Sequence, residues 1–130
     1  MLNRFTKGVV TLTPAFTTVV DVSPEIILDG HATDLALTLT NTSANALTSF
    51  IMAVKTDKDD TFTTLLSGSD WAGLANHGFM VAKQGTLATL AGGATGRAHI
   101  KLGPWYSVKF TATAGSAATT TLRVNIAGVK

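Results

Sequence analysis

The sequence predicts an all-β protein, an antiparallel two-sheet sandwich of about eight strands with a long Gly-rich middle loop, and three observations carry that prediction. The first is alternation of period two. Ala98, Ile100 and Leu102 alternate with Arg97, His99 and Lys101; Tyr106, Val108, Phe110 and Ala112 with Ser107, Lys109, Thr111 and Thr113; Leu122, Val124 and Ile126 with Thr121, Arg123 and Asn125. Such runs are half-buried strands with one face on a core and one in water. The second is that turn residues recur about every eight to twelve positions. The third is that no long stretch repeats with the 3.6-residue period of an amphipathic helix. A jelly roll is the expected topology, with a fibronectin-like or immunoglobulin-like order as the alternative.

Taken in order, residues 1–8 read as an N-terminal arm carrying Arg4, Phe5 and Lys7 and ended by Gly8, and residues 9–130 as a single sandwich domain. Val9–Thr13 and Phe16–Val22 are short strands separated by Pro14, which cannot donate to a ladder. Ile26, Ile27 and Leu28 precede the Asp29-Gly30 turn, after which Leu35, Leu37 and Leu39 alternate with Thr and Ala. Asn41 to Asn45 is a polar turn. Leu47–Lys55 has apolar residues on both faces, as a central strand does. A charged loop, Thr56 to Asp60, leads into a strand over Thr61–Leu66. Between Ser67 and Gly96 glycines break the period; Leu74–Val81 is expected as a short helical turn and Thr86–Leu90 as a short strand. The three C-terminal runs then form one sheet over the core, Gly115 and Ser116 closing a hairpin within it.

At 130 residues and 13.5 kDa the chain is long enough to bury a core without staples. It has no cysteine, hence no disulfide, thiolate nucleophile or Cys-ligated zinc. The ten Lys and Arg are scattered and the formal net charge is +2, which gives no nucleic-acid footprint. Only 14% of residues are charged, against about 25% in an average soluble domain. Twenty-two threonines fill the outward strand positions instead. Two readings follow: a compositional habit of β-proteins, or a surface covered by assembly. Two contacts of roughly 800 Å² each would hide about a quarter of the ~6,500 Å² that a monomer of this mass exposes. The first residues show no apolar leader and no run reaches membrane-spanning length, as expected of a chain made in the cytoplasm.

Catalytic constellations fail when tested one by one. Gly68-Ser69-Asp70 lacks the glycine spacing of a nucleophile elbow. His31, His77 and His99 are isolated, and the neighbours of His99 two positions away on a strand face are cations. Counted from Asp57, a calcium loop would need Gly and Glu where Phe62 and Gly68 stand. A single Glu, Glu25, offers no carboxylate pair for glycoside hydrolysis. Gly92-Gly93-Ala94-Thr95-Gly96 leads into a strand, whereas phosphate cradles open onto a helix. No enzyme, cofactor or metal site is expected. Trp71, Trp105 and Tyr106 are either core filling, interface anchors or a sugar platform.

The order of these features resembles the small jelly-roll cement or decoration proteins of tailed-bacteriophage capsids. Met52-Ala53-Val54-Lys55 runs into the acidic loop and Phe62; a Gly-broken middle follows; Leu102-Gly103-Pro104-Trp105-Tyr106 opens the closing strands. The resemblance spans most of residues 15–127 and is one of style, shared with virion proteins of tails and necks. It implies a homotrimer on the outer surface of the capsid, bound to the major capsid protein, with no cofactor, nucleic acid or membrane partner. The long segment 67–96 departs from compact members of such families. Arg4, Phe5, Lys7, Trp71, Phe79, Met80 and Lys83 are the expected contact residues. The alternatives are a carbohydrate- or receptor-binding module of a tail fibre, expected to show an exposed aromatic platform, and a neck or tail component.

Overall fold

The computed structural model describes the backbone over residues 2–12, 16–71 and 80–128, and side chains over residues 20–71 and 84–128. Ten strands are described: β1 (Leu2–Leu12), β2 (Phe16–Asp21), β3 (Ile26–Ile27), β4 (Ala32–Asn41), β5 (Leu47–Lys55), β6 (Thr63–Leu66), β7 (Met80–Gln84), β8 (Thr95–Lys101), β9 (Ser107–Ala114) and β10 (Ala118–Gly128). They form two sheets, here A and B. Sheet A runs β1-β10-β4-β8-β7 and sheet B runs β2-β9-β5-β6, with β3 beside β9. Every pairing is antiparallel.

Setting aside the short β3 and the edge strand β7, the chain changes sheet at each step except from β5 to β6. That path, with the last strand returning beside the first, is the double Greek key of a jelly roll. The all-β sandwich expected from the sequence is therefore the fold.

The alternating residues meet between the sheets. Leu35, Leu37, Leu39, Ala98, Ile100, Leu122, Val124 and Ile126 come from sheet A; Phe50, Met52, Val54, Leu66, Val108, Phe110 and Ala112 come from sheet B. Central β5 pairs with β9 on one side and β6 on the other, and Ala53 on its outer face is also buried. Phe50 stacks on Phe110 with centroids 5.6 Å apart and tilts against Trp71 at 5.2 Å.

Four expectations are corrected. The C-terminal runs do not share a sheet: β8 and β10 lie in sheet A and β9 in sheet B, so Gly115-Ser116 crosses between sheets instead of closing a hairpin. Period two fixes which side chains are buried but not which strand is the partner. Residues 2–8 belong to β1, which pairs with β10 from Leu2↔Ala127 to Leu12↔Ala118, with an irregularity between Phe5 and Gly8. The expected arm is thus an edge strand, its backbone groups taken up by the ladder. The Gly-rich stretch is not one loop, because β7 pairs with β8 inside it. Within it Leu87–Thr89 is a 3-10 turn where a strand was expected, burying Leu87 and Ala88. The helical turn expected over Leu74–Val81 falls largely outside the described residues.

Two turns explain their glycines. Asp29 and Gly30 both have left-handed φ (53° and 74°), and the His31 N–H donates to the Leu28 carbonyl at 3.1 Å, as in the mirror-image turns that reverse strands tightly. At Gly92 a Cβ would lie 2.5 Å from the carbonyl carbon of Ala44, so that close approach excludes any side chain.

Candidate functional site

The outer face of sheet A is built in cross-strand rows. Thr121, Thr40 and Thr95 are in register across β10, β4 and β8; the next row is Arg123, Thr38 and Arg97; then Asn125, Ala36 and His99; then Ala127, Asp34 and Lys101. Their inward neighbours are the core leucines and isoleucines, so strand alternation forces this polar set outward. Short residues on central β4, Ala36 and the threonines, sit between longer ones on β10 and β8. Shallow depressions result. One, of about 400 Å³, is lined by Thr38, Thr40, Thr95, Arg97, Thr121 and Arg123. A second, of about 290 Å³, lies between Ala36, Gln84, Arg97 and His99.

The charges on this face are only partly matched. His99 Nε2 lies 2.9 Å from Asp34 Oδ1, and the Thr33 hydroxyl donates to Asp34 Oδ2 at 3.0 Å. The His99 contact, then the Thr33 hydroxyl, holds the Asp34 carboxyl below its ordinary value. Arg97 donates to the neutral Gln84 amide oxygen at 2.9 Å. Thr40 and Thr95 share a hydrogen bond at 3.1 Å. Among the described residues, Arg97, Arg123 and Lys101 have no carboxylate within ion-pair distance.

The outer face of sheet B is neutralised by contrast. Lys55 Nζ is 3.4 Å from Glu25, Lys109 Nζ is 3.4 Å from Asp21, and Ser107 donates to Glu25 at 2.7 Å. Both ammonium groups also lie over the Phe62 ring, at 4.8 and 4.7 Å. The Ser107 hydrogen bond, reinforced by Lys55, lowers the Glu25 carboxyl below its ordinary value.

Most of the expected contact residues fall on the two edge strands of sheet A. Arg4 is in register with Asn125 and Phe5 with Val124; Lys7 lies within the irregularity that follows. Met80 is in register with Ile100 and Lys83 with Ala98. Phe79 lies outside the described residues. Trp71 is the correction: it is 1% exposed, with its indole N–H donating to the Phe50 carbonyl at 2.8 Å. A satisfied N–H and aromatic neighbours make it core, not an exposed anchor. Trp105 is half-buried and packs against the core as well, and Tyr106 is half-buried. Period two places Arg97 and Arg123 outward, but their alignment across β4 depends on the topology.

Among the described residues no group of three or more His, Cys, Asp and Glu could hold a metal ion. No described helix is long and apolar enough to cross a membrane.

No family model matches the chain, and no curated protein matches it. Among solved structures it is similar to the SPBc2 prophage-derived protein YomS, at 13% identity and TM-score 0.52, over 98% of this chain and 96% of that one. It also overlays on a structure from Bacillus endospore appendages, described as a novel family of disulfide-linked pili, at 10% identity and TM-score 0.46, over 99% of this chain and 89% of that one. The likeness to YomS extends the two-sheet fold over nearly the full length of both chains. The class these observations define is a double-sheet jelly roll with one neutralised outer face and one cationic, hydroxyl-rich one.

Proposed function

We propose that the chain is a non-enzymatic structural protein of a bacteriophage virion, a cement or decoration protein that self-associates and docks on the outer surface of the head, against the major capsid protein. The observation that carries this reading is the asymmetry of the two outer faces. Sheet B matches Lys55 and Lys109 internally, whereas sheet A presents Arg97, Arg123 and Lys101 with, among the described residues, no carboxylate within ion-pair distance. A face whose charges are completed only by another molecule suits docking. The end-to-end likeness to a prophage-derived protein supports the virion setting. The accessible surface of 6437 Å² is that of a compact monomer of this mass, so contacts of ordinary size cover much of a surface poor in charge.

Cementing is mass action. A protein that binds only the assembled lattice stabilises it by RT ln(1 + [L]/Kd), and contacts repeated by symmetry add through avidity. Heads depleted of this protein are expected to break open at a lower temperature and to regain stability when the purified chain is added back. Depleted heads with an unchanged disruption temperature contradict the proposal.

A further inference from the structure

We propose that the cationic face of sheet A is a self-docking site, in which the groove between Arg97 and Arg123 receives the acidic β5–β6 loop of a second copy. This rests on the self-association proposed above and specifies its surfaces. Among the described residues most of the charges left over fall in two places of opposite net sign, Asp29 at the β3–β4 turn being the remaining carboxylate with no ion pair. Of the eight carboxylates in the chain, Asp21, Glu25 and Asp34 meet cations. Asp57, Asp59 and Asp60 fall within one loop and form no ion pair among the described residues. Among the described residues the cations without an ion pair are Arg97, Lys101 and Arg123 of sheet A and Lys58, which lies inside the loop and leaves it with three carboxylates against one ammonium group.

The two patches cannot meet within one copy. The loop joins two strands of sheet B, while the groove opens on the outside of sheet A, across the thickness of the sandwich. A neighbour must therefore supply it. The loop arrives already shaped. Both Asp60 carboxylate oxygens accept backbone N–H groups, from Thr56 at 3.0 Å and Thr61 at 2.8 Å. Asp57 Oδ1 accepts the Asp59 N–H at 2.8 Å. Asp59 is exposed, and its carboxylate makes no hydrogen bond among the described residues, which makes it the side chain that enters the groove. A volume of about 400 Å³ accommodates it between two guanidinium groups and four threonine side chains. Such a contact joins different surfaces of the two copies, so it propagates around a ring or along a filament.

Sedimentation velocity on two charge-reversed chains tests this. One carries Arg97→Glu with Arg123→Glu, the other Asp57→Lys with Asp59→Lys. Wild type is expected to self-associate, and each variant alone to associate at least about tenfold more weakly. Mixed in equal amounts, the two are expected to associate again, because the intact groove of the second chain meets the intact loop of the first and the reversed groove of the first meets the reversed loop of the second. The neutral pair Arg97→Gln with Arg123→Gln gives the same weakening should a reversed chain fail to fold. Variants that are folded and associate like wild type overturn the docking site alone. A mixture that forms no pair also overturns it. A wild type that stays a single subunit overturns both the docking site and the self-association it rests on. Loss of head binding by the Arg97→Glu, Arg123→Glu chain with self-association intact assigns the face to the shell and overturns the proposal.

Discussion

Asn41 is fully buried, and each of its polar side-chain atoms is used. Its amide donates to the carbonyls of Asn45 and Leu90, and its oxygen accepts from the Ser43 N–H and hydroxyl. Replacing it with Ala strands those partners, so Asn41→Ala is expected to cost about 2–4 kcal/mol in urea unfolding. Thr120 is the opposite case. Its hydroxyl is buried and has no hydrogen-bond partner among the described residues, so the isosteric Thr120→Val is expected to raise stability by about 1 kcal/mol, read from the same curves. Glu25 adds a pH dependence. Its folded value lies below the ordinary 4.5, so the unfolded chain binds the proton more readily. The stability it contributes is present above 4.5 and is lost as pH falls through the lower folded value. Glu25→Gln should flatten the fall in thermal midpoint over that acid range; an unchanged slope would assign it to other carboxylates. The buried alternation was legible residue by residue, but Asn41 looked like any polar turn residue. Nothing in the sequence shows that four partners converge on it.

Strands were easier to read than their partners. The run Leu35, Leu37, Leu39 and the final Leu122, Val124, Ile126 sit where period two puts them, in register on β4 and β10. What failed was pairing: the small residues of 114–118 suit a hairpin and a sheet-to-sheet crossing equally well. Trp71 failed for a related reason. It lies in a stretch without a period, where burial depends on a backbone carbonyl of β5 that is distant in sequence. Strand β1 gives a direct comparison between arm and strand. A detached arm can be removed at little cost, whereas a strand paired from Leu2 onward cannot. A chain of residues 9–130 is expected to lose about 2–4 kcal/mol in urea unfolding, since several ladder hydrogen bonds go and the β10 edge is opened. Loss of less than about 0.5 kcal/mol would return residues 1–8 to the role of an arm.

For the molecule as a whole, the low charge content raises the question of a covered surface, and the topology gathers Arg97, Lys101 and Arg123 on one face. Arg97 and Arg123 are 26 positions apart in sequence and meet only because β8 and β10 both flank β4. No reading of periods predicts that. Exposed charges separated by more than about 8 Å are screened at physiological ionic strength, so contacts made by this face weaken as salt rises. The most direct test of the account is sedimentation of the purified wild-type chain over a wide concentration range at low and high salt. The account predicts association that grows with concentration and recedes with added salt. A single subunit at every concentration and salt level would contradict it.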